Sequence, residues 1–207
     1  MCKKGLFICI EGLDASGKTT QSKLLVEKLR EKGIPSRYTM EPSEGEVGQL
    51  IRSFILKRDV RTHAAIEALL FAADRLDHIG RDVSPALARG EVVVSDRYVY
   101  SSLAYQGGVN LDLHWVEEIN KFALKPDLAI YIDVPPEVAV ERLTGGRSVM
   151  ENLETQELAR KIYLQMVKDR KLILVDGNRD IDEVSKEILN IVMGFLKDRG
   201  FFIKEGN

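Results

Sequence analysis

Short apolar runs alternate along the chain with longer stretches in which apolar residues recur at helical spacing. The runs are rich in Ile, Val, Leu and Tyr and show little polar alternation, which is typical of parallel strands covered on both faces. They predict four clear strands and one weaker strand, the second along the chain: Leu6–Ile10, Ser36–Thr39, Glu91–Ser95, Asp127–Asp133 and Lys171–Val175.

The stretches between the runs predict helices, because their apolar residues fall on one face. The two clearest faces are formed by Ile66, Leu69, Leu70 and Ala73, and by Val184, Ile188, Ile191, Val192 and Phe195. A further helix is predicted from Thr19 to Lys32, because Gly33 suits the position after a helix end. The alternation predicts an α/β fold, a three-layer sandwich with a five-stranded parallel sheet between helices. We expect a single domain over residues 1–207.

Residues 12–19 read Gly-Leu-Asp-Ala-Ser-Gly-Lys-Thr and match the phosphate-loop pattern GxxxxGK(S/T) in full. The segment follows the first strand and opens a helix, which is the context that the motif requires. Its glycines let backbone N–H groups point at phosphate oxygens, and the helix N-terminus adds partial positive charge. The Lys18 ammonium group would bind the β- and γ-phosphates, and the Thr19 hydroxyl would ligate Mg²⁺. The predicted ATP-binding residues are Gly12, Leu13, Asp14, Ala15, Ser16, Gly17, Lys18, Thr19 and Thr20.

Bulk composition narrows the possible partners. The 207 residues are 44% hydrophobic and 30% charged with a net charge of −2, so no strong field would recruit nucleic acid or an anionic membrane. The first apolar run is interrupted at Glu11 and no later run approaches membrane-spanning length, so we expect a cytoplasmic protein with reduced thiols. Cys2, Cys9 and the scattered histidines lack metal-ligand spacing, which argues against a zinc site.

A phosphate loop occurs in switches and motors as well as in kinases. A GTPase would carry an NKxD-type guanine signature, and this sequence has none. A helicase or transporter ATPase would be longer and would need coupling modules. A small kinase instead needs a second pocket, with positive charge to hold two anions in line.

Two segments are candidates for that pocket. Asp96-Arg97-Tyr98 ends a strand, so it should face the same crevice as the phosphate loop. Arg97 can bind a phosphate with both arms of its guanidinium, while Asp96 can reach Mg²⁺ through water or pair with Lys18. Phe71 and Arg75 share a helical face and could stack on a base and bond its edge, although the apolar neighbours of Phe71 also fit a core position.

Further segments accompany these in a fixed order. They are Glu11–Gln21 around the phosphate loop, Glu41-Pro42, Phe71-Ala72-Ala73-Asp74-Arg75, Asp96-Arg97-Tyr98 with Ser101, Ser102, Ala104, Tyr105 and Gln106, and Pro126-Asp127-Leu128 leading to Tyr131–Val134 and Pro136–Ala139. The ordered set resembles the thymidylate kinases over nearly the whole chain. The resemblance implies a P-loop NTP hydrolase-like nucleotide kinase fold, and transfer of the γ-phosphoryl of Mg·ATP to dTMP for dTTP biosynthesis. It also implies Mg²⁺ as cofactor, with Thr19 and Asp96 at the metal, and a homodimer.

The resemblance further implies roles for individual residues on the acceptor side. Phe71 would stack on thymine, Arg75 would bond its exocyclic oxygen, Ser102 would meet the base edge and Arg97 would hold the dTMP phosphate. Tyr105, with Gln106 close by, would lie where a ribose 2′-OH would go. Asp14 would contact the sugar 3′-OH or the metal–phosphate network, and Glu41 would orient the acceptor side.

The segment Thr144-Gly145-Gly146-Arg147-Ser148 pairs glycines with an arginine and is expected to form the tip of a mobile lid at about residues 142–153. In one branch of the resembled family an arginine lies in the phosphate loop, where this chain has Ala15; members without it place basic residues in the lid. Arg147 is therefore the candidate for stabilising charge on the transferred phosphoryl group, with Glu151 nearby and Arg142 flanking the adenine. Closure of a lid would exclude water.

Two alternatives stay open on the sequence. The first is a related kinase for another nucleoside monophosphate, such as dUMP, or for an unphosphorylated deoxynucleoside. The second is a nucleotide-dependent switch that binds ATP without an acceptor. Met40 before Glu41-Pro42 and Ser43-Glu44-Gly45 after it depart from the family pattern, which leaves the acceptor-phosphate contacts undefined.

Overall fold

The computed structural model of the protein describes residues 4–56, 62–109, 111–143 and 152–201. Within these residues, five parallel strands form one sheet in the order β2-β3-β1-β4-β5. The strands are β1 (Leu6–Gly12), β2 (Ser36–Met40), β3 (Val92–Asp96), β4 (Leu128–Asp133) and β5 (Ile173–Asp176). The predicted five-stranded parallel sheet is confirmed, and each strand lies within two residues of its predicted bounds.

The helices follow the predicted alternation. In chain order they are α1 (Lys18–Glu31), α2 (Glu46–Ile51), α3 (Ala64–His78), α4 (Ser84–Ala88), α5 (Val99–Tyr105), α6 (Leu113–Ile119), α7 (Pro136–Arg142), α8 (Leu153–Lys168) and α9 (Ile181–Asp198). Short π-helical turns extend α2 over Arg52–Leu56 and join α3 to α4 over Ile79–Val83. Helix α1 begins one residue earlier than predicted, because Gly17 rather than Lys18 occupies its N-cap position.

Helices cover both faces of the sheet, as the three-layer prediction requires. Helices α1 and α9 pack on each other and cover one face. Helices α5 and α8 pack on each other and meet β1 and β4. The central strand β1 is buried along its whole length, and a hydrophobic cluster runs through the sheet into both helical layers. Burial on both faces explains why the strands read as continuous apolar runs.

The carboxyl ends of β1, β2 and β3 lie side by side. The Arg97 N–H donates to the Ile10 carbonyl at 3.0 Å, and the Glu41 N–H donates to the Asp96 carbonyl at 3.0 Å. These bonds continue the sheet by one residue and bring Glu41, Asp96 and Arg97 to one edge. In open parallel sheets this edge is where ligands bind.

No helix in the described part of the chain combines the length and the hydropathy that crossing a membrane requires.

Candidate active site

The phosphate loop owes its shape to glycine. Gly17 has φ 92°, a left-handed conformation that glycine adopts at little cost. At Gly12 a Cβ atom would lie 2.8 Å from the carbonyl oxygen of Ile132, so only glycine allows β1 to run this close to β4 at its end. The chain turns at once into α1, which directs backbone N–H groups and the helix N-terminus at the concave side of the loop.

Lys18 lies buried inside this loop, with its ammonium group donating to the Leu13 carbonyl. Burial, assisted by the positive charge of Arg97, lowers the pKa of Lys18 to about 8, while Asp14 and Asp96 oppose the shift. A lysine with this pKa carries an incompletely stabilised charge. Phosphate oxygens would favour its protonated form, so the loop is suited to binding an anion.

The Thr19 hydroxyl donates to the Asp96 carboxylate across the gap between α1 and β3. Asp96 therefore contacts Thr19, the other residue predicted at the metal, and the alternative pairing of Asp96 with Lys18 is not made. Burial, and then the charge of Asp96, raise the pKa of the nearby Tyr38 hydroxyl to about 12.

These oxygens fit Mg²⁺. The ion takes hard oxygen ligands and is commonly held by one or two protein oxygens together with substrate phosphates and water. A threonine hydroxyl in contact with a carboxylate, beside a phosphate loop, is such a set. The described residues contain no cluster of three or more His, Cys, Asp or Glu side chains able to hold a metal ion by themselves.

Arg97 connects the loop to the neighbouring strand end. Its guanidinium donates to the Gly12 carbonyl at 3.3 Å and to the Ser101 hydroxyl at 3.1 Å, and it pairs with the Asp14 carboxylate. The backbone of Arg97 has φ 70°, which costs an ordinary side chain about 1 kcal/mol and is held by the bond to Ile10. Burial opposes the charge of Arg97, but Asp14 outweighs it and raises the pKa well above the usual value.

Asp14 is the point at which several elements meet. Its carboxylate accepts from the Tyr105 hydroxyl at 3.0 Å and from the Gln156 amide at 2.8 Å. Burial alone would raise the pKa of Asp14, but Arg97 and then Lys18 lower it, so the group is ionised at neutral pH. The Arg97 guanidinium lies 5.2 Å from the centre of the Tyr105 ring. The loop, α5 and α8 are thus tied together around one carboxylate.

A buried ion pair forms the other half of the site. Arg75, only 1% exposed, donates to Oε2 of Glu41 from Nε at 3.0 Å and from Nη2 at 2.7 Å. Its Nη2 also donates to the Ser102 hydroxyl at 3.1 Å, and its Nη1 to the Asn120 side-chain oxygen. The guanidinium lies 5.2 Å from the Tyr98 ring. Arg75 therefore contacts both of the other predicted acceptor residues, Glu41 and Ser102.

Phe71 lies one helical turn before Arg75 on α3. The ring is half-buried and does not belong to the hydrophobic cluster of the sheet or to the side chains packed on it. The core interpretation of Phe71 is therefore not supported. A ring that is neither core nor fully exposed, beside a buried guanidinium, suits a flat ligand.

The comparisons with known proteins agree with this geometry. The family model described as thymidylate kinase matches residues 10–188. The chain is 41% identical over 197 residues to a probable thymidylate kinase of Pyrococcus abyssi, covering 91% of this chain and 96% of the relative. It is 39% identical over 199 residues to a thymidylate kinase of Carboxydothermus hydrogenoformans, covering 92% and 98%. The chain belongs to the thymidylate kinase family.

In this member of the thymidylate kinase family, most of the predicted site residues lie at one sheet edge. Arg97, Asp14 and Tyr105 join the phosphate loop to α5. Gln106 is buried directly after Tyr105, at the end of α5. Thr20 is exposed on the first turn of α1. Arg142 is exposed at the end of α7, where it donates to the Asn178 side chain at 3.3 Å. Arg147 and Glu151 lie outside the described residues.

The segment that departs from the thymidylate kinase pattern is fixed by two charged residues. The backbone N–H of Ser43 donates to Asp74 at 2.8 Å, and its hydroxyl donates to the same carboxylate at 2.5 Å. The Arg52 guanidinium donates to the carbonyls of Pro42 and Ser43. Asp74 and Arg52 thus hold the turn after Glu41 although its sequence is unusual for the family.

Sequence reasoning missed several residues that organise the site. Glu11 is completely buried and accepts from the Tyr98 N–H at 2.9 Å, the Ser101 hydroxyl at 2.6 Å and the Tyr163 hydroxyl at 2.9 Å. Burial raises its pKa to about 7. The sequence did carry a signal for Glu11, because it is a charged residue directly after the apolar run Leu6–Ile10. Gln156 and Asn120 carry no such signal, since polar residues on amphipathic helices are ordinarily exposed.

Proposed function

We propose that this protein transfers the γ-phosphoryl group of Mg·ATP to dTMP, giving ADP and dTDP in the synthesis of dTTP. One observation carries the proposal. The Arg97 guanidinium, assigned to the acceptor phosphate, lies within 3.3 Å of the Gly12 carbonyl of the donor loop. A phosphate held by Arg97 would therefore lie next to the γ-phosphate held by the loop, and this proximity is required for phosphoryl transfer between them.

The donor half holds the nucleoside triphosphate by its phosphates. Backbone N–H groups of residues 12–19 surround the β-phosphate, and Lys18 leaves the Leu13 carbonyl to bind the β- and γ-oxygens. Thr19 and Asp96 would hold Mg²⁺, which would neutralise charge on these oxygens. Arg142 flanks the adenine.

The acceptor half holds the monophosphate by base, sugar and phosphate. Phe71 stacks on the thymine, while Arg75 and Ser102, already paired with each other, bond its edge. Tyr105 fills the space of a ribose 2′-OH, since its hydroxyl is fixed by Asp14. An oxygen of the dTMP phosphate attacks the γ-phosphorus and the bond to the β-phosphate oxygen breaks. The attacking group is already an anion, so no strong base is required.

We further propose one domain over residues 1–207 with a lid at about residues 142–153. Arg147 and Glu151 in this segment would act on the transferred group once the nucleotides are bound. The family relationship and the nucleotide substrates favour a cytoplasmic location, with no nucleic-acid or membrane partner.

The test is a panel of kcat/KM values with ATP for dTMP, dUMP, dCMP, dGMP and thymidine. We expect dTMP to lead dCMP, dGMP and thymidine by at least about tenfold, because Arg75 and Ser102 bond one base edge and Arg97 requires the phosphate that thymidine lacks. In Arg97→Ala the KM for dTMP should rise far more than that for ATP, with Arg89→Ala, a surface arginine, as control. Another preferred acceptor in the wild type would overturn the assignment to dTMP.

We also propose that the protein is a homodimer formed through α3. On this helix Ile66, Leu69 and Leu76 are 45%, 51% and 42% exposed and form an apolar stripe on one face. Light scattering should give the mass of two chains for the wild type and of one chain for Leu69→Glu, while Ile181→Glu on α9 should remain dimeric. A wild-type monomer at about 10 μM would refute this arrangement.

A further inference from the structure

His78 is a completely buried histidine next to the acceptor half of the site. It lies three residues after Arg75 on α3, so both side chains face the same direction. Its Nδ1 lies 3.2 Å from Oε1 of Glu41, and its Nε2 lies 2.5 Å from the Thr39 hydroxyl. The mechanism above assigns no role to this residue.

The Glu41 carboxylate is shared between two partners. Arg75 takes only Oε2, through both Nε and Nη2, whereas His78 takes only Oε1. A carboxylate facing a guanidinium alone would turn to present both oxygens side by side, which is the preferred geometry of such pairs. The bond from His78 to Oε1 opposes that rotation.

The rotation of Glu41 determines the position of Arg75. With Oε2 receiving both Nε and Nη2, the remaining Nη2 hydrogen points at the Ser102 hydroxyl, 3.1 Å away. Rotation of the carboxylate would draw the guanidinium toward Oε1 and away from Ser102. Arg75 and Ser102 are the pair assigned to the base edge, so His78 is connected to the acceptor base through Glu41 and Arg75.

The Glu41 carboxylate fixes the role of Nδ1 of His78. A carboxylate only accepts hydrogen bonds, so the ring nitrogen that faces it is the donor. Nδ1 therefore donates to Glu41, and Nε2 shares a hydrogen bond with the Thr39 hydroxyl. The chain of contacts runs from β2 through α3 to the acceptor pocket.

We propose that His78 is a positioning residue for the acceptor base: it holds the Glu41 carboxylate in the rotation that directs Arg75 at Ser102 and the bound monophosphate. The inference rests on the proposed function, because the base pocket is assigned there. Its effect falls on the binding of the monophosphate, and the donor loop, with Lys18 and Thr19, lies outside the chain of contacts.

Two substitutions separate the nitrogens of His78. The amide nitrogen of Asn can take the place of Nδ1 and keep the bond to Glu41, whereas that of Gln takes the place of Nε2 and keeps only the contact with Thr39. We expect His78→Gln to raise the KM for dTMP by about tenfold and His78→Asn by less than about threefold. In both variants kcat and the KM for ATP should stay close to wild type.

A role in packing alone predicts the opposite order, because Gln fills the buried volume of His better than Asn does. Equal KM values for dTMP in the two variants, or a larger effect in Asn, would overturn the proposal. His114→Gln, at an exposed histidine, is the matched control. If His78→Gln fails to fold, Thr39→Val serves instead; it removes the hydroxyl that holds the Nε2 side of the His78 ring and should raise the KM for dTMP by about threefold.

The outcome is distinguishable from failure of the proposed function. If the wild type prefers another monophosphate, the function proposed for dTMP fails, and the same variants are compared on the preferred acceptor. If the wild type is a dTMP kinase and the two variants behave alike, only the role of His78 fails.

Discussion

The two halves of the site are built in different ways. In the donor half the phosphates are bound by one continuous segment, residues 12–20, in which backbone groups and a single lysine provide the positive charge. The acceptor half joins side chains from separate segments: Glu41 after β2, Arg75 on α3, Ser102 on α5 and Asn120 after α6. The first depends on backbone shape, the second on buried side-chain contacts.

The two halves also differ in how completely their positive charges are paired within the protein. In the donor half the Lys18 ammonium is incompletely compensated, and its pKa is lowered to about 8 mainly by burial. In the acceptor half the Arg75 charge is fully paired within the protein, at distances of 2.7 and 3.0 Å to Glu41. The donor half is therefore prepared to take up an anion, and the acceptor half to present a fixed edge. Substitutions in the two halves should have different consequences.

The largest effect is expected at the donor loop. Lys18→Ala should lower kcat by about 10³-fold, because no other side chain in the described loop supplies a positive charge to the γ-phosphate. Its unfolding free energy should be unchanged or higher, since a buried, poorly compensated charge is removed. Steady-state kinetics and urea unfolding measure the two quantities. Lys23→Ala, on the next turn of α1, is the control; a comparable loss of kcat there would contradict the role of Lys18.

Substitution of a buried charge in the acceptor half should lower the stability of the fold. Glu41→Gln leaves the Arg75 charge buried without its partner, and we expect a loss of about 3 kcal/mol in unfolding free energy. Urea unfolding measures the loss. The control is Glu91→Gln, whose partners Arg37 and Arg89 are solvent-exposed, and which should cost under about 1 kcal/mol. Equal stability of the two variants would remove the contrast between the halves.

The smallest expected effect is a difference in the number of protons taken up when ATP binds. At pH 8 about half of the Lys18 side chains are neutral in the free protein, given a pKa of about 8. Phosphate oxygens favour the ammonium form, so ATP binding at pH 8 should take up about half a proton more in the wild type than in Lys18→Arg, which is always charged. Near pH 6.5 Lys18 is already protonated and the difference should vanish. Calorimetry in buffers of different ionisation enthalpy measures it; a difference that does not depend on pH would refute the lowered pKa.

The same contrast explains what the sequence could predict. The strands followed from uninterrupted apolar runs, since residues such as Val92, Val93 and Val94 are buried on both faces of the sheet. The phosphate loop followed from fixed spacing, because its groups are neighbours along the chain. The edge at which Arg97 lies followed from the rule for parallel strand ends.

Contacts between segments that are distant along the chain could not be predicted by these arguments. Arg75 and Asn120 are 45 residues apart, and Asp14 and Gln156 are 142 apart. Only tertiary packing brings them together, and neither Asn120 nor Gln156 differs by type from a surface residue. His78 likewise read as an isolated histidine, because its partners Thr39 and Glu41 lie in β2 and directly after it, 39 and 37 residues away along the chain.

The proposed reaction requires the donor and acceptor halves of the site to face each other across Arg97. The most direct test is the affinity of a single molecule that joins adenosine and thymidine through five phosphates, measured by calorimetry with Mg²⁺. If the two halves are in line, this compound should bind at least about 10²-fold more tightly than ATP or dTMP alone. Once its first nucleotide is bound, binding of the second costs no further translational freedom. Binding no tighter than the better single nucleotide would show that the two sites are not in line.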